Sequence, residues 1–469
     1  MRRKSPPSVR RSPVASALLV TVLTGTFALT ACASDDPADD GTLTVWSLEN
    51  QTDRVQAAQA VADRFTARSG VKVKIVATDE NQFTQLITSA AAAGDLPDVV
   101  GALPLSAVWQ LSANDILDTA AAESVVNDLG ADTFSDRALD LTRNDGKQLA
   151  VPSDAWAQLL VYRKDLFAAA GLPAPDSYEA IARAAQKLDT GGTAGITLAT
   201  VANDAFTAQS VEFLGLGNGC ELVDDKGTVT LDSKPCTETF GLYGDLARKY
   251  SVQGAQDVDS TRATYFAGKA AMVVWSSFIL DEMAGLRDDA KPNCPQCQAD
   301  PAFLAKNSGF VTAVKGPSGT EPAGFGEITS WSITDGASES AKDFVAFMMD
   351  EGYADWLGVA PEGKMPARTG TKDSPQKFTE AWNGLTAGVD TKKPLGEIYP
   401  ADVMEALRTS PDTIRRWGIT QGQGKLVGAT LGELPVPKAI NALATGQVDA
   451  AGACKQAADA VESIKTSLK

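Results

Sequence analysis

No histidine occurs among the 469 residues, so any chemistry must come from carboxylates, thiols, amides and indoles. A Ser-His-Asp triad, a Cys-His pair, an HExxH zinc site and every His-ligated metal centre are excluded. Two carboxylates can hydrolyse a glycoside without histidine, and Glu80 with Glu327 is a conceivable pair. Apart from Cys32 there are five cysteines. Cys220 and Cys236 flank a short segment with Gly227 at its turn, a pattern expected of a disulfide pinning a β-hairpin. The pair in Cys294-Pro295-Gln296-Cys297 has three readings: a redox motif, half a zinc site or a local disulfide. There is no second CxxC to complete a zinc site. Pro292, Pro295 and Pro301 replace the strand-then-helix setting of a thioredoxin-like motif. A loop staple is therefore expected, leaving Cys454 over; the alternative ties Cys454 to one of these two sulfurs. No metal or cofactor is expected.

Polar and aromatic side chains cluster where strands end. Leu43 to Ser47 reads as a buried strand beginning at Thr42, followed by an amphipathic helix near 53–68 with Val55, Ala58, Ala62 and Phe65 at helical spacing. Gly70 stops that helix, and Val71–Val76 alternates as a second strand. A helix over about 82–93 ends at Gly94, and Asp98-Val99-Val100-Gly101 opens a third strand. This β-α-β-α-β order predicts a parallel sheet with right-handed crossovers. Ligands on such sheets gather at the carboxyl ends of the strands, where Trp46, Ser47, Glu49 and Asn50 follow the first and Asp79 and Glu80 the second. Phe344 to Leu357 reads as one helix with an apolar face.

Composition sets the frame. Apolar residues make up 44% and charged residues 22%, ordinary for a globular protein. The length suggests about three domains or two large lobes. With 42 basic and 59 acidic residues the net charge is −17, which argues against a nucleic-acid partner. Residues 1–13 carry Arg2, Arg3, Lys4, Arg10 and Arg11 and no acid, and an apolar run continues from Val14 to Ala31. A basic stretch, an apolar stretch and small residues before a cut describe a secretory signal. Leu29-Thr30-Ala31-Cys32 resembles the bacterial lipoprotein box. That resemblance implies cleavage before Cys32 and a diacylglyceryl thioether on its sulfur, hence a lipid anchor on the outer face of the cell membrane. Gly25 and the hydroxyl residues dilute the run as a transmembrane anchor. Arg10-Arg11 leaves the export route open between the general and the twin-arginine pathways. Residues 32–41, with four Asp and no bulky apolar side chain, read as a tether. Removing residues 1–31 takes the basic count from 42 to 37 against 59 acids, so the mature chain carries −22.

Five segments in order resemble family 1 extracellular solute-binding proteins, the maltose-binding-protein-like receptors of bacterial ABC importers. They are Leu43–Ser47, Ala93–Val100 (Ala-Gly-Asp-Leu-Pro-Asp-Val-Val), Val161–Pro173 around Tyr162-Arg163-Lys164-Asp165, Gly268–Ser276 and Met365–Arg368. The Gly-rich crossing strand usual in the family reads here as Gly326-Glu327-Ile328-Thr329-Ser330-Trp331, and the stretch near 288–308 has no counterpart. The resemblance implies an α/β periplasmic-binding-protein-like fold of class II, with two lobes, a hinge and an interlobe cleft. Lobe one is placed at 42–149 plus 332–386, and lobe two at 150–331 plus 387–469. The family pattern puts Trp46, Trp156, Trp275 and Trp331 at strand ends or crossings facing the cleft. It places Glu49, Asp79, Glu80, Asp154, Ser276, Glu327 and Arg368 as polar ligand contacts. Indoles suit the C–H face of a pyranose, and carboxylates, amides or Arg suit its hydroxyls. At roughly 0.3 kcal/mol per heavy atom, a disaccharide gains about 7 kcal/mol, within about an order of magnitude of micromolar affinity. Trp109, Trp356, Trp382 and Trp417 are assigned to packing. The expected protein is a monomeric, non-enzymatic receptor that delivers a small solute, a mono- or oligosaccharide, to permease subunits. The alternatives are a secreted glycosidase and a ligand-presenting partner of a sensor.

Overall fold

The computed structural model describes residues 41–468. The predicted signal segment, Cys32 and the tether up to Asp40 lie outside the described residues.

One mixed sheet organises the chain. Its strands are β1 (Leu43–Ser47), β2 (Val73–Ala77), β3 (Val99–Pro104), β4 (Val151–Arg163), β5 (Met272–Ser276), β6 (Ser308–Val311), β7 (Gly326–Ile333) and β8 (Met365–Pro366). The order is β8-β4-β7-β3-β1-β2, with β5 and β6 also paired to β4. β1 runs parallel to β2 and β3, in register Leu43↔Val73 and Val45↔Val99, as the β-α-β-α-β reading expects. β7 is antiparallel to both β3 and β4. β4 pairs with β7 over its first half and with β5 and β6 over its second. Close approach of β3 and β7 depends on Gly101, where a Cβ would lie 2.2 Å from the Trp331 ring.

The helices that matter for the site are α1 (Thr52–Ser69), α2 (Glu80–Ala93), α3 (Leu105–Ala113), α4 (Ala205–Leu216), α5 (Lys234–Lys249), α6 (Gly424–Thr430), α7 (Pro435–Ala444) and α8 (Ala450–Ser467). Gly70 and Gly94 end α1 and α2 in the left-handed conformation, the role the sequence assigns them. The single helix expected over Phe344 to Leu357 is instead two, Ser340–Met348 and Tyr353–Leu357. Gly352 lies between them, in a place where a Cβ would sit 2.9 Å from Val61 of α1.

Two apolar cores flank the sheet, and each draws on both of the chain stretches assigned to separate lobes. Phe83, Leu105 and Trp109 pack in one core with Phe213, Phe240 and Ile440. Val45, Phe65 and Phe344 pack in the other with Tyr265, Trp275 and Leu280. Cys220 is bridged to Cys236 and Cys294 to Cys297, while Cys454 is a buried free thiol. Between Cys220 and Cys236 the chain makes a minimal antiparallel turn about Gly227, with the Asp224 N–H donating to the Thr228 carbonyl at 2.9 Å and the Thr230 N–H to the Leu222 carbonyl at 3.0 Å. A single bridge joins Val223 to Val229, and Cys236 stands in the first turn of α5, so the disulfide ties a loop to a helix.

Candidate functional site

A cavity of 640 Å³ opens where several chain segments meet. One wall comes from Leu48 after β1, the first turns of α2 and the β3–α3 junction at Pro104 and Ser106. The opposite wall comes from Asn203, the outward face of α4, Arg416-Trp417 and residues 431–437. Two Asx caps fix the approach. Asp79 accepts from the Asn81 backbone N–H at 3.0 Å to start α2, and Asp204 accepts from Phe206 at 2.9 Å to start α4. Both helices thereby begin beside the cavity.

Arg416 is the anchor of the far wall. Its Nη1 donates to both oxygens of Glu327 at 2.6 Å, and its Nε donates to Glu212 Oε1 at 3.2 Å. Glu327 also accepts from the Leu105 backbone N–H at 3.0 Å, and Glu212 from Trp417 at 2.6 Å. Burial pushes both carboxyls above their usual range, and Arg416 pulls each part of the way back. Glu80 has no such partner. Its side chain lines the cavity but stays open to solvent, so water screens the upward push that the cavity wall, then Glu327, Asp204, Asp79 and Glu49, exert on its pKa. The cavity thus offers a carboxyl, amides at Asn81, Asn203 and Gln209, a guanidinium, and apolar wall from Phe83, Leu222 and Trp417. It can grip a small hydroxylated molecule by hydrogen bonds and by ring contact. Among the described residues no group of His, Cys, Asp or Glu could hold a metal ion.

Residues 49–355 match the family described as bacterial extracellular solute-binding protein. The chain belongs to that family. This solute-binding protein is 29% identical over 354 residues to YcjN of Escherichia coli (strain K12), which carries the name of an ABC transporter periplasmic-binding protein; the match covers 72% of this chain and 77% of that one. Its fold is that of the GacH receptor of Streptomyces glaucescens, solved unliganded and with acarbose: TM-score 0.69, 18% identity, 90% of this chain and 98% of that one. A sugar transporter protein of Arthrobacter chlorophenolicus with bound laminaribiose aligns equally, at TM-score 0.69 and 17% identity, over 90% and 99% of the two chains. Maltose-bound MalE3 of T. maritima gives TM-score 0.68 at 17% identity, again over 90% and 99%. The family is one of transport receptors, and the periplasmic-binding-protein-like α/β fold expected from sequence is the one observed.

Of the eleven ligand contacts placed from sequence, Glu80 alone lines the cavity of this solute-binding protein. Asp79 caps α2 beside it, and Glu327 stands behind Arg416. The others lie off its lining. Trp331 is 1% exposed, with its ring 4.7 Å from Trp356 and edge-on to Phe344. Trp275 is buried and donates to the Val258 carbonyl at 3.0 Å, and Ser276 beside it is buried at the end of β5. Trp46 is half-buried on β1, and Trp156 is half-buried against Phe325 at 5.7 Å. Arg368 is spent on the Thr133 hydroxyl and the Leu129 and Met349 carbonyls at 2.6–2.9 Å.

Glu49 and Asp154 do meet, but in a buried ion network. Lys364, fully buried, lies 2.7 Å from Glu49 and 3.3 Å from Asp154. Arg54 donates to Glu49 at 2.9 Å and approaches Glu362 at 3.6 Å. Burial opposes ionisation of Glu49, yet Lys364 and Arg54 outweigh it and hold the carboxyl down at about 2. Asp154 further accepts from Ser153, Thr329 and Trp356 at 2.6–2.8 Å. Sequence reasoning missed Asn203, Gln209, Glu212 and Arg416. Trp417, which it assigned to packing, is buried and donates to the Cys220 carbonyl at 2.7 Å while one edge forms cavity wall.

Proposed function

We propose that this receptor captures a mono- or oligosaccharide in the 640 Å³ cavity and delivers it to the permease subunits of an ABC importer. The observation that carries the reading is the cavity itself. Its volume falls within the range of small-molecule sites, and it pairs a few polar groups with aromatic and aliphatic wall. The proteins of like fold that were solved with acarbose, laminaribiose and maltose support a sugar as the ligand class. In this reading Glu80, Asn81, Asn203, Gln209 and Arg416 meet hydroxyls, and Phe83 and Trp417 meet C–H faces. Residues 42–149 plus 332–386 form one lobe and 150–331 plus 387–469 the other, hinged along β4 and β7, and closure buries the solute. The receptor works as a monomer without cofactor, held at the outer face of the cell membrane by lipid on Cys32.

The glycosidase alternative is the weaker reading. Glu327 spends both oxygens on one guanidinium and a backbone N–H, so it is poorly placed as acid, base or nucleophile beside Glu80. A sugar panel in thermal-shift and calorimetric titrations tests the proposal. A ligand at a hundred times its dissociation constant adds about 2.7 kcal/mol of stability, and one tight site per chain with unaltered sugar is expected. Absence of any tight sugar, or appearance of a cleaved product, overturns it. Mass spectrometry of the protein from its native membrane tests the anchor, since Cys32 without lipid refutes that part.

A further inference from the structure

A buried charge cluster lies where three stretches of chain meet beside the core that holds Phe344 and Leu280. Residues 49–54, entering α1, and residues 361–364 form one side, and the helix Ile279–Met283 with its flanks forms the other. Phe278 closes the joint: the Arg54 guanidinium lies 4.8 Å from its ring, and a Cβ on Gly363 would run into that ring. Across the same joint Arg287 donates to the Gln51 side chain at 2.9 Å and lies 3.8 Å from Asp53.

Acids outnumber bases inside it. Glu49, Asp154, Asp281, Glu282 and Glu362 are buried, against Arg54, Arg287 and Lys364. Arg262, nearer the surface, meets Glu282 at 2.7 Å, which leaves five carboxyls for four cations. Asp53 and Asp289 crowd Arg287 at the rim and add to the excess. An uncompensated buried charge is costly, so one carboxyl should keep its proton. Glu49 and Asp154 are not that group, since Lys364 lies between them and Asp154 also accepts from Thr329 and Trp356. Glu282 has one unpaired oxygen, but Arg262 holds the other. Asp281 and Glu362 are met more distantly, by Arg287 at 4.0 Å and Arg54 at 3.6 Å, and Asp281 Oδ1 and Glu362 Oε2 are buried without a hydrogen-bond partner. Tyr399, close to both, has spent its hydroxyl proton on the Leu280 carbonyl at 2.6 Å. We propose that Asp281 and Glu362 hold one proton between them and that this proton keeps residues 278–289 docked on residues 49–54 and 361–364. Burial pushes both carboxyls up, Asp281 adds to the push on Glu362, and Arg54 takes back only part. The support is therefore complete at low pH and is lost as pH rises through the folded pKa. No residue of this joint lines the cavity proposed for the solute, so the inference stands whether or not the sugar reading holds. On the lobe boundaries proposed above, the docked surfaces belong to opposite lobes, and the proton then favours closure.

Infrared difference spectra of the full chain test the proton. Wild type minus Glu362→Gln, and wild type minus Asp281→Asn, should each show the carbonyl band of an un-ionised carboxylic acid at neutral pH. Hydrogen–deuterium exchange, corrected for the intrinsic rate, then follows peptide 278–289 as pH is raised until that band disappears. The opening constant of the peptide should climb over the same interval, by up to about tenfold per pH unit, the limit set by release of one proton. Glu362→Gln, which is neutral at every pH, should keep the peptide protected throughout. Absence of the band, or a band unmoved by either substitution, overturns the shared proton. Loss of the band with protection of 278–289 unchanged overturns its role in docking. So does an equal loss of protection in residues 205–216 of α4, since the proton then supports the whole fold and not this joint. A Glu362→Gln protein that opens with the wild-type pH slope overturns it as well.

Discussion

Arg416→Met tests the electrostatic account of the cavity wall most sharply. Arg416 is 5% exposed, holds both Glu327 oxygens at 2.6 Å and Glu212 at 3.2 Å, and lies 4.8 Å above the Phe325 ring. Methionine keeps much of the apolar stem but leaves two buried carboxylates with no cation. Removing one partner of a buried ion pair costs about 3–5 kcal/mol, and that loss is expected near pH 8. The pH dependence gives the stronger check. Burial already raises both carboxyls while Arg416 restrains them, so deleting it raises them further. A carboxyl whose folded pKa exceeds its unfolded value supports the fold at low pH and loses that support as pH rises through the folded pKa. The deficit of the variant should therefore shrink toward pH 5 and grow toward pH 8, by up to about 1.4 kcal/mol per pH unit for each carboxyl titrating in the window. Urea unfolding followed by tryptophan fluorescence across pH 5–8 reads this directly. Adding Glu327→Gln and Glu212→Gln to Arg416→Met should recover much of the loss and flatten the profile. A deficit below about 1 kcal/mol, or one that is equal at both ends of the range, refutes the reasoning.

Three further outcomes are expected. Trp331→Ala should cost about 3–5 kcal/mol of unfolding free energy, the range for large aromatic side chains lost from a core, while titration calorimetry finds solute affinity within twofold of wild type. The pKa of Glu80 is shifted upward, damped by the water that reaches its side chain, so its ionisation should weaken the wild-type fold slightly as pH climbs from about 4.5 to 7. Glu80→Gln should gain on wild type over that interval in urea midpoints, and parallel profiles would contradict it. Cys236→Ser opens a disulfide spanning 16 residues and should cost about 3 kcal/mol. Cys297→Ser opens one spanning 3, and differential scanning calorimetry should find the smaller loss there.

The sequence carried the fold well where local signals and tertiary packing agreed. The strand at Leu43–Ser47, the stop at Gly70 and the stop at Gly94 all reappear within two residues of their expected places. The helix read through Gly352 failed because periodicity records an apolar face but not the turn at residues 349–352 that interrupts it. The site was far less legible. Family position located the ends of strands, but it could not tell which side of a strand a ring takes or whether a carboxylate already has a partner. Trp331 went to the interior because Gly101 leaves room for its ring, and Glu49 and Asp154 because Lys364, 210 residues beyond Asp154, lies between them. Arg416 and Asn203 belong to stretches with no chemical motif of their own, and only the folded chain brings them to Glu80.

The long strand β4 has a consequence for how this molecule is made. Its first half is bonded to residues 326–331 and 365–366, and β3 also waits for 329–333. Synthesis must therefore run well past the midpoint of the polypeptide before the centre of the sheet can form. Pairings between such distant stretches are slow to find, so the centre of the sheet stays open until those later residues have been made.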